Sequence, residues 1–118
     1  TGVQTCALPI LESNFLLLKA IIGKTYTLLH AWNGKEAVEI YEQSHPDLIL
    51  MDIKMPEMDG LEATRIIRKV SQEIPIIALT AFAFDDDRVK ALEAGCNDYL
   101  TKPLSAPLLK ETIAKYLV

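Results

Sequence analysis

Apolar residues recur along this chain in two rhythms. Short runs with apolar residues at consecutive positions lie at 26–31 (YTLLHA), 47–51 (DLILM), 74–79 (IPIIAL) and 98–100 (DYL). Each is too short for a stable helix. Several lack the alternation of a strand with one wet face, so they predict strands buried on both faces. Between them lie stretches with a helical period. Residues 12–22 (ESNFLLLKAII) stop at Gly23, and 34–44 follow Asn33 as N-cap, with Ala37, Val38, Ile40 and Tyr41 on one stripe. Residues 60–70 turn Leu61, Ile66, Ile67 and Val70 inward. Residues 85–94 open on Asp85, Asp86 and Asp87, which suit the positive end of a helix, and stop at Gly95. Residues 106–117 follow Ser105, with Pro107 in the first turn.

Strand–helix alternation with connections of a few residues predicts an α/β fold, a doubly wound parallel sheet with helices on both faces. Ligands of such sheets bind at the carboxyl ends of the strands. Asp52 ends one apolar run, Thr80 ends the next, and Lys102 follows the last.

Composition narrows the classes of function. The chain has 118 residues, half of them hydrophobic and 24% charged, which fits one globular domain. A net charge of −4 argues against a nucleic-acid partner, which calls for a basic face. No apolar run is long enough to span a bilayer, so no membrane contact is expected. Cys6 and Cys96 are too few for a disulfide scaffold and sit in no metal-type cluster. The expected location is the cytoplasm. His30 and His45 stand apart and read as structural or surface residues, with His45-Pro46 a turn before a strand.

A carboxylate, a hydroxyl and an ammonium on one rim suit transient acceptance of a phosphoryl group. Asp52 would attack phosphorus, a divalent cation would neutralise the oxygens, and Thr80 and Lys102 would hold the group. Any one of them alone would count as surface filler; three at consecutive strand ends reverse that reading. The segments LILMDIKMPEMDGLEATRIIR around Asp52, IIALTAFA around Thr80 and AGCNDYLTKPL around Lys102 resemble the receiver domain of two-component response regulators and hybrid histidine kinases. HAWNGKEAVE is typical of receivers carried by hybrid kinases. The resemblance covers residues 11–118. It implies a five-stranded sheet of flavodoxin-like order 2-1-3-4-5, with Asp52 as phosphoacceptor and, together with the backbone carbonyl of Lys54, as a metal ligand. It makes Thr80 and Tyr99 the switch pair and Lys102 the phosphoryl-contacting lysine, with a cis proline usual at the position of Pro103. Mg²⁺ is the implied cofactor, and a sensor histidine kinase or histidine phosphotransfer domain the implied partner. Gly60 is expected to supply a backbone conformation forbidden to other residues.

The pattern breaks at the first strand. Receivers end it with an acidic pair, and register from Glu12 puts Pro9 and Ile10 there. Mg²⁺ binding in this chain is therefore expected to be weak or absent. TGVQTCALPI is also the direct translation of ACT GGA GTT CAG ACG TGT GCT CTT CCG ATC, a common sequencing-library adapter. Residues 1–10 are expected to be an artefactual segment at the first-strand position, and 11–118 the receiver domain. Val3, Cys6, Ala7 and Leu8 keep that segment apolar enough to enter the sheet.

The leading expectation is thus a phosphorelay acceptor, not an enzyme. A binding-only pseudo-receiver is the alternative, favoured by the missing acids. An aspartyl phosphatase of the haloacid dehalogenase type needs a general acid two residues after the nucleophile, where Lys54 stands. No GxGxxG follows any strand, and Gly34-Lys35 lacks the upstream glycine of a P-loop. Direct gene regulation is not expected within this chain, as no DNA-binding segment is read in it up to Val118.

Overall fold

Leu48–Asp52 and Ile76–Thr80 are buried at every position, as their consecutive apolar residues require of strands covered on both faces. They belong to a computed structural model that describes residues 5–9, 12–31, 33–52, 60–80, 85–101 and 105–117. Strands and helices alternate along the chain: β1 (Thr5–Pro9), α1 (Glu12–Ile22), β2 (Thr27–Ala31), α2 (Gly34–Ser44), β3 (Leu48–Asp52), α3 (Gly60–Val70), β4 (Ile76–Thr80), α4 (Asp85–Ala94), β5 (Asp98–Thr101) and α5 (Ala106–Tyr116). The sheet is parallel, in the order β2-β1-β3-β4-β5. Thr5–Pro9 therefore fills a central place. Pro9 is its last residue.

Alternate strand residues feed two cores. Ile49, Met51, Ile76 and Ala78 pack with Ala37 and Tyr41 of α2, Ala63 and Ile67 of α3, and Ala91 of α4. Leu48, Leu50, Ile77 and Leu79 pack with Leu18 and Ile22 of α1 and Leu109 and Ile113 of α5. Caps fix the helix starts: the Asn33 side chain accepts from the Glu36 N–H at 2.9 Å, and Ser105 Oγ from the Leu108 N–H at 3.5 Å. At the end of α2, His45 takes a left-handed φ of 45° and donates its N–H to the Tyr41 carbonyl at 3.0 Å. Its ring stands edge-on to Tyr41. This histidine serves a turn.

Several expectations need correction. Val70, placed inward by the sequence pattern, is 68% exposed. The buried stripe of α3 runs through Gly60, Ala63, Thr64 and Ile67, and a 3.6-residue period carries it on toward Ser71. β4 starts at Ile76 because Pro75 has no N–H and the Ile74 N–H is spent on Ser71 Oγ at 3.4 Å.

A polar clamp closes the end of the sheet away from Asp52. Asn97 extends the β4–β5 ladder, donating its N–H to the Ile76 carbonyl at 2.7 Å and accepting from the Ile76 N–H on Oδ1 at 2.9 Å. Arg68 donates to the same Oδ1 at 2.7 Å, to the Gly95 carbonyl at 2.8 Å and to the Ser71 carbonyl at 3.2 Å. Gly95 makes room for it, since a methyl there would lie 2.6 Å from Arg68 Cγ, and its φ of 120° disfavours a side chain in any case. From the other face the Tyr116 hydroxyl reaches the Asn97 carbonyl and Asp98 Oδ2. Burial, then the charge of Asp98, pushes the Tyr116 phenol up. Burial draws the Arg68 guanidinium down, but arginine stays charged. Arg68→Ala is expected to cost about 2–3 kcal/mol, because it strands charge-assisted acceptors. A urea titration monitored by circular dichroism checks this; an unchanged midpoint would show the clamp is dispensable.

Candidate functional site

Parallel strands of the central sheet deliver their last residues to one rim. Asp52 ends β3 and is 1% exposed, and Thr80 ends β4 and is 3% exposed. The register sets Asp52 opposite Leu79, so Thr80 lies one residue further on the neighbouring strand. Asp52 is a buried carboxylate. Thr80 pairs with Thr101, the last residue of β5. Tyr99 sits two residues earlier, opposite Ala78, half-buried against the core on the α3–α4 side. Its backbone N–H donates to Asp98 Oδ1 at 2.8 Å.

The structure thus brings Asp52 and Thr80 to one rim, with Tyr99 on the edge strand beside them. Lys102, Lys54, Ile10 and Pro103 lie outside the described residues. Pro9, at one of the two positions where the receiver pattern has an acid, ends β1 opposite Ala31. A Mg²⁺ site needs several hard oxygen donors in near-octahedral array. No group of three or more His, Cys, Asp or Glu able to hold a metal occurs among the described residues. At the rim, β1 offers proline where a carboxylate would be needed. Among the described residues, Asp52 is the one carboxylate that ends a central strand at this rim, short of the donor set a Mg²⁺ ion calls for.

Two residues at the start of α3, Gly60 and Thr64, bear on this rim in ways the sequence pattern does not state. Gly60, the first residue of α3, has no positive φ, so the conformational reason expected for it is wrong. Space is the reason. A methyl at Gly60 would run into the carbonyl oxygen of Asp52, and would stand 2.9 Å from Met51 Cγ and 3.0 Å from the Asp52 carbonyl carbon. Thr64, fully buried, donates its hydroxyl to the Gly60 carbonyl at 2.7 Å and touches Cys96 Sγ at 3.8 Å. Burial pushes the Cys96 thiol up, which leaves it protonated and inert.

Comparison with known proteins agrees with this arrangement. The family profile of the response regulator receiver domain matches residues 12–114. The polar-differentiation response regulator DivK of Brucella ovis is 40% identical over 120 residues, covering 97% of this chain and 98% of the relative. The receiver domain of the sensor histidine kinase PA1611 from Pseudomonas aeruginosa, whose crystal structure has a magnesium ion coordinated in the active-site cleft, superposes with a TM-score of 0.89. It is 34% identical and covers 99% of this chain and 98% of its own. The receiver domain of Saccharomyces cerevisiae Ssk1, in co-crystals with the histidine phosphotransfer protein Ypd1, gives a TM-score of 0.88 at 31% identity. That match covers 98% of this chain and 88% of the relative.

Proposed function

The chain belongs to the response regulator receiver domain family, and from that premise we propose that Asp52 accepts a phosphoryl group from a phosphohistidine. The donor is a sensor histidine kinase or a histidine phosphotransfer domain. The observation that carries this reading is the burial of Asp52 at a central strand end with Thr80 beside it. A carboxylate oxygen of Asp52 attacks phosphorus, an O–P bond forms, and the N–P electron pair leaves with the imidazole, which is protonated. The protein positions the partners and screens charge, as little other covalent chemistry is needed. Lys102 supplies the positive charge, and the Thr80 hydroxyl donates to a phosphoryl oxygen.

The message then travels through Thr80 and Tyr99. When the Thr80 hydroxyl moves toward the phosphoryl group it frees space, and the half-buried Tyr99 ring turns inward, reshaping the face of α4 and β5. Thr80→Ala is expected to leave Asp52 phosphorylatable while reducing the effect of phosphate on partner binding to less than about twofold, against the 5–150-fold of ordinary couplings. Calorimetric titration with a histidine phosphotransfer domain reads this out; wild-type coupling in the variant would contradict the route.

Support for a partner of that kind comes from the Ssk1 receiver, described in complex with Ypd1, and for a hybrid-kinase origin from HAWNGKEAVE and the PA1611 receiver. The proposed location is the cytoplasm, where such kinases present their phosphohistidine; no helix among the described residues is long and apolar enough to cross a membrane. Residues 1–10 are proposed to be translated adapter standing in for the native first strand, with 11–118 as the receiver domain. The codon-for-codon match supports this. Reading the locus by an adapter-free method is expected to return other codons, and the same codons in genomic DNA would overturn it. A binding-only pseudo-receiver is the second reading, favoured by Pro9 and Ile10 at the acidic positions.

A further inference from the structure

We propose that Gly60, clipped down by Thr64, is a positioning residue for the Asp52 carboxylate. The inference rests on Asp52 as acceptor and extends the site to the first turn of α3. Asp52 ends β3, and its backbone lies against the first residue of α3. What bears on its carbonyl is the bare Cα face of Gly60, approached so closely that a methyl would collide with the Asp52 carbonyl oxygen and crowd Met51. This is backbone against backbone, and a side-chain rotation cannot relieve it.

A second contact keeps the helix start in place. Gly60 opens α3, and its carbonyl takes the Thr64 hydroxyl at 2.7 Å in addition to serving the helix. Thr64 itself is fully buried and rests on Cys96, next to the clamp that fixes the start of β5. The first turn of α3 is thereby held between the α4–β5 corner and the end of β3. Moving it moves the Asp52 carbonyl, and with it the Cα from which the carboxylate hangs. Misplacement by about 1 Å is enough to cost on the order of a hundredfold in a reaction that depends on alignment.

Helix propensity gives the opposite expectation, since alanine is a better helix former than glycine. Gly60→Ala is therefore diagnostic. Aspartate carboxyl carbons are labelled with ¹³C in the full chain, and the Asp52 resonance is assigned through Asp52→Asn. Gly60→Ala is expected to shift the Asp52 resonance while leaving those of Asp47 and Asp98 in place. Thr64→Val, which keeps the shape and drops the hydroxyl, is expected to shift it the same way by less. Ile67→Val, about two turns further along the same helix, serves as a control for general loss of packing and is expected to leave the resonance unmoved. Labelling by a small phosphodonor should fall about tenfold or more in Gly60→Ala and less than about twofold in Ile67→Val. An unmoved Asp52 resonance in both Gly60→Ala and Thr64→Val, or an equal shift in Ile67→Val, would overturn the proposal. With Pro9 and Ile10 both replaced by aspartate, equal labelling with and without Asp52→Asn would instead overturn Asp52 as acceptor, and the resonance would still decide what Gly60 does.

Discussion

Replacing Pro9 and Ile10 together by aspartate is expected to raise Mg²⁺ affinity by about tenfold or more, because divalent-ion affinity follows the number of charged oxygen ligands. The place is suitable. Thr5–Pro9 pairs with β2 on one side and β3 on the other, so Pro9→Asp sets a carboxylate at the end of the strand beside Asp52 and returns an N–H to a central strand. Without metal the new negative charges repel one another and Asp52 and weaken the fold. The variant should therefore be less stable than the parent in chelator and gain stability as Mg²⁺ is added, by the linkage of ligand binding to the native state. The parent's urea midpoint should barely respond to Mg²⁺. Tryptophan or tyrosine fluorescence and urea titrations at several Mg²⁺ concentrations check both. Equal Mg²⁺ response in the two proteins would show that the acidic pair is dispensable here, and phosphodonor labelling should rise with affinity in the substituted chain.

In that same substituted chain, Asp52→Asn is expected to drop acid-labile phosphate incorporation to background. An amide has neither the charge nor the free oxygen lone pairs of the nucleophile, so no acyl phosphate forms. The variant should fold. Asp52 is 1% exposed, and removing a buried negative charge while keeping the shape costs less than burying a new one. Retained labelling at the parent's rate would exclude Asp52 as acceptor, and unchanged partner binding in Asp52→Asn would favour the binding-only reading.

Much of this was visible in the residues, for identifiable reasons. The helix starts at Gly34 and Ala106 were legible because Asn33 and Ser105 are capping residues, and the stop at Gly95 because that position has a φ of 120°. β3 and β4 were legible because strands buried on both faces must be apolar throughout. Their ends put Asp52 and Thr80 on one rim. What the sequence hid depends on long-range geometry. Arg68 meets Asn97 across 29 positions of sequence, and nothing local in either residue announces the pair. Val70 was misjudged because an apolar residue in a last turn looks like core until the helix's drift is known. Gly60 was noticed for the wrong property: local rules predict glycines from φ, whereas this one is demanded by the close approach of the Asp52 carbonyl.

The central claim is that the carboxylate of Asp52 carries the phosphoryl group. The direct test is to incubate the full chain with a phosphorylated histidine phosphotransfer domain, reduce any acyl phosphate with borohydride, and locate the resulting homoserine by peptide mass spectrometry. The account predicts homoserine at position 52, in a yield that rises when Pro9 and Ile10 are both aspartate. Homoserine at another aspartate, or phosphate on the protein with position 52 unreduced, would contradict it.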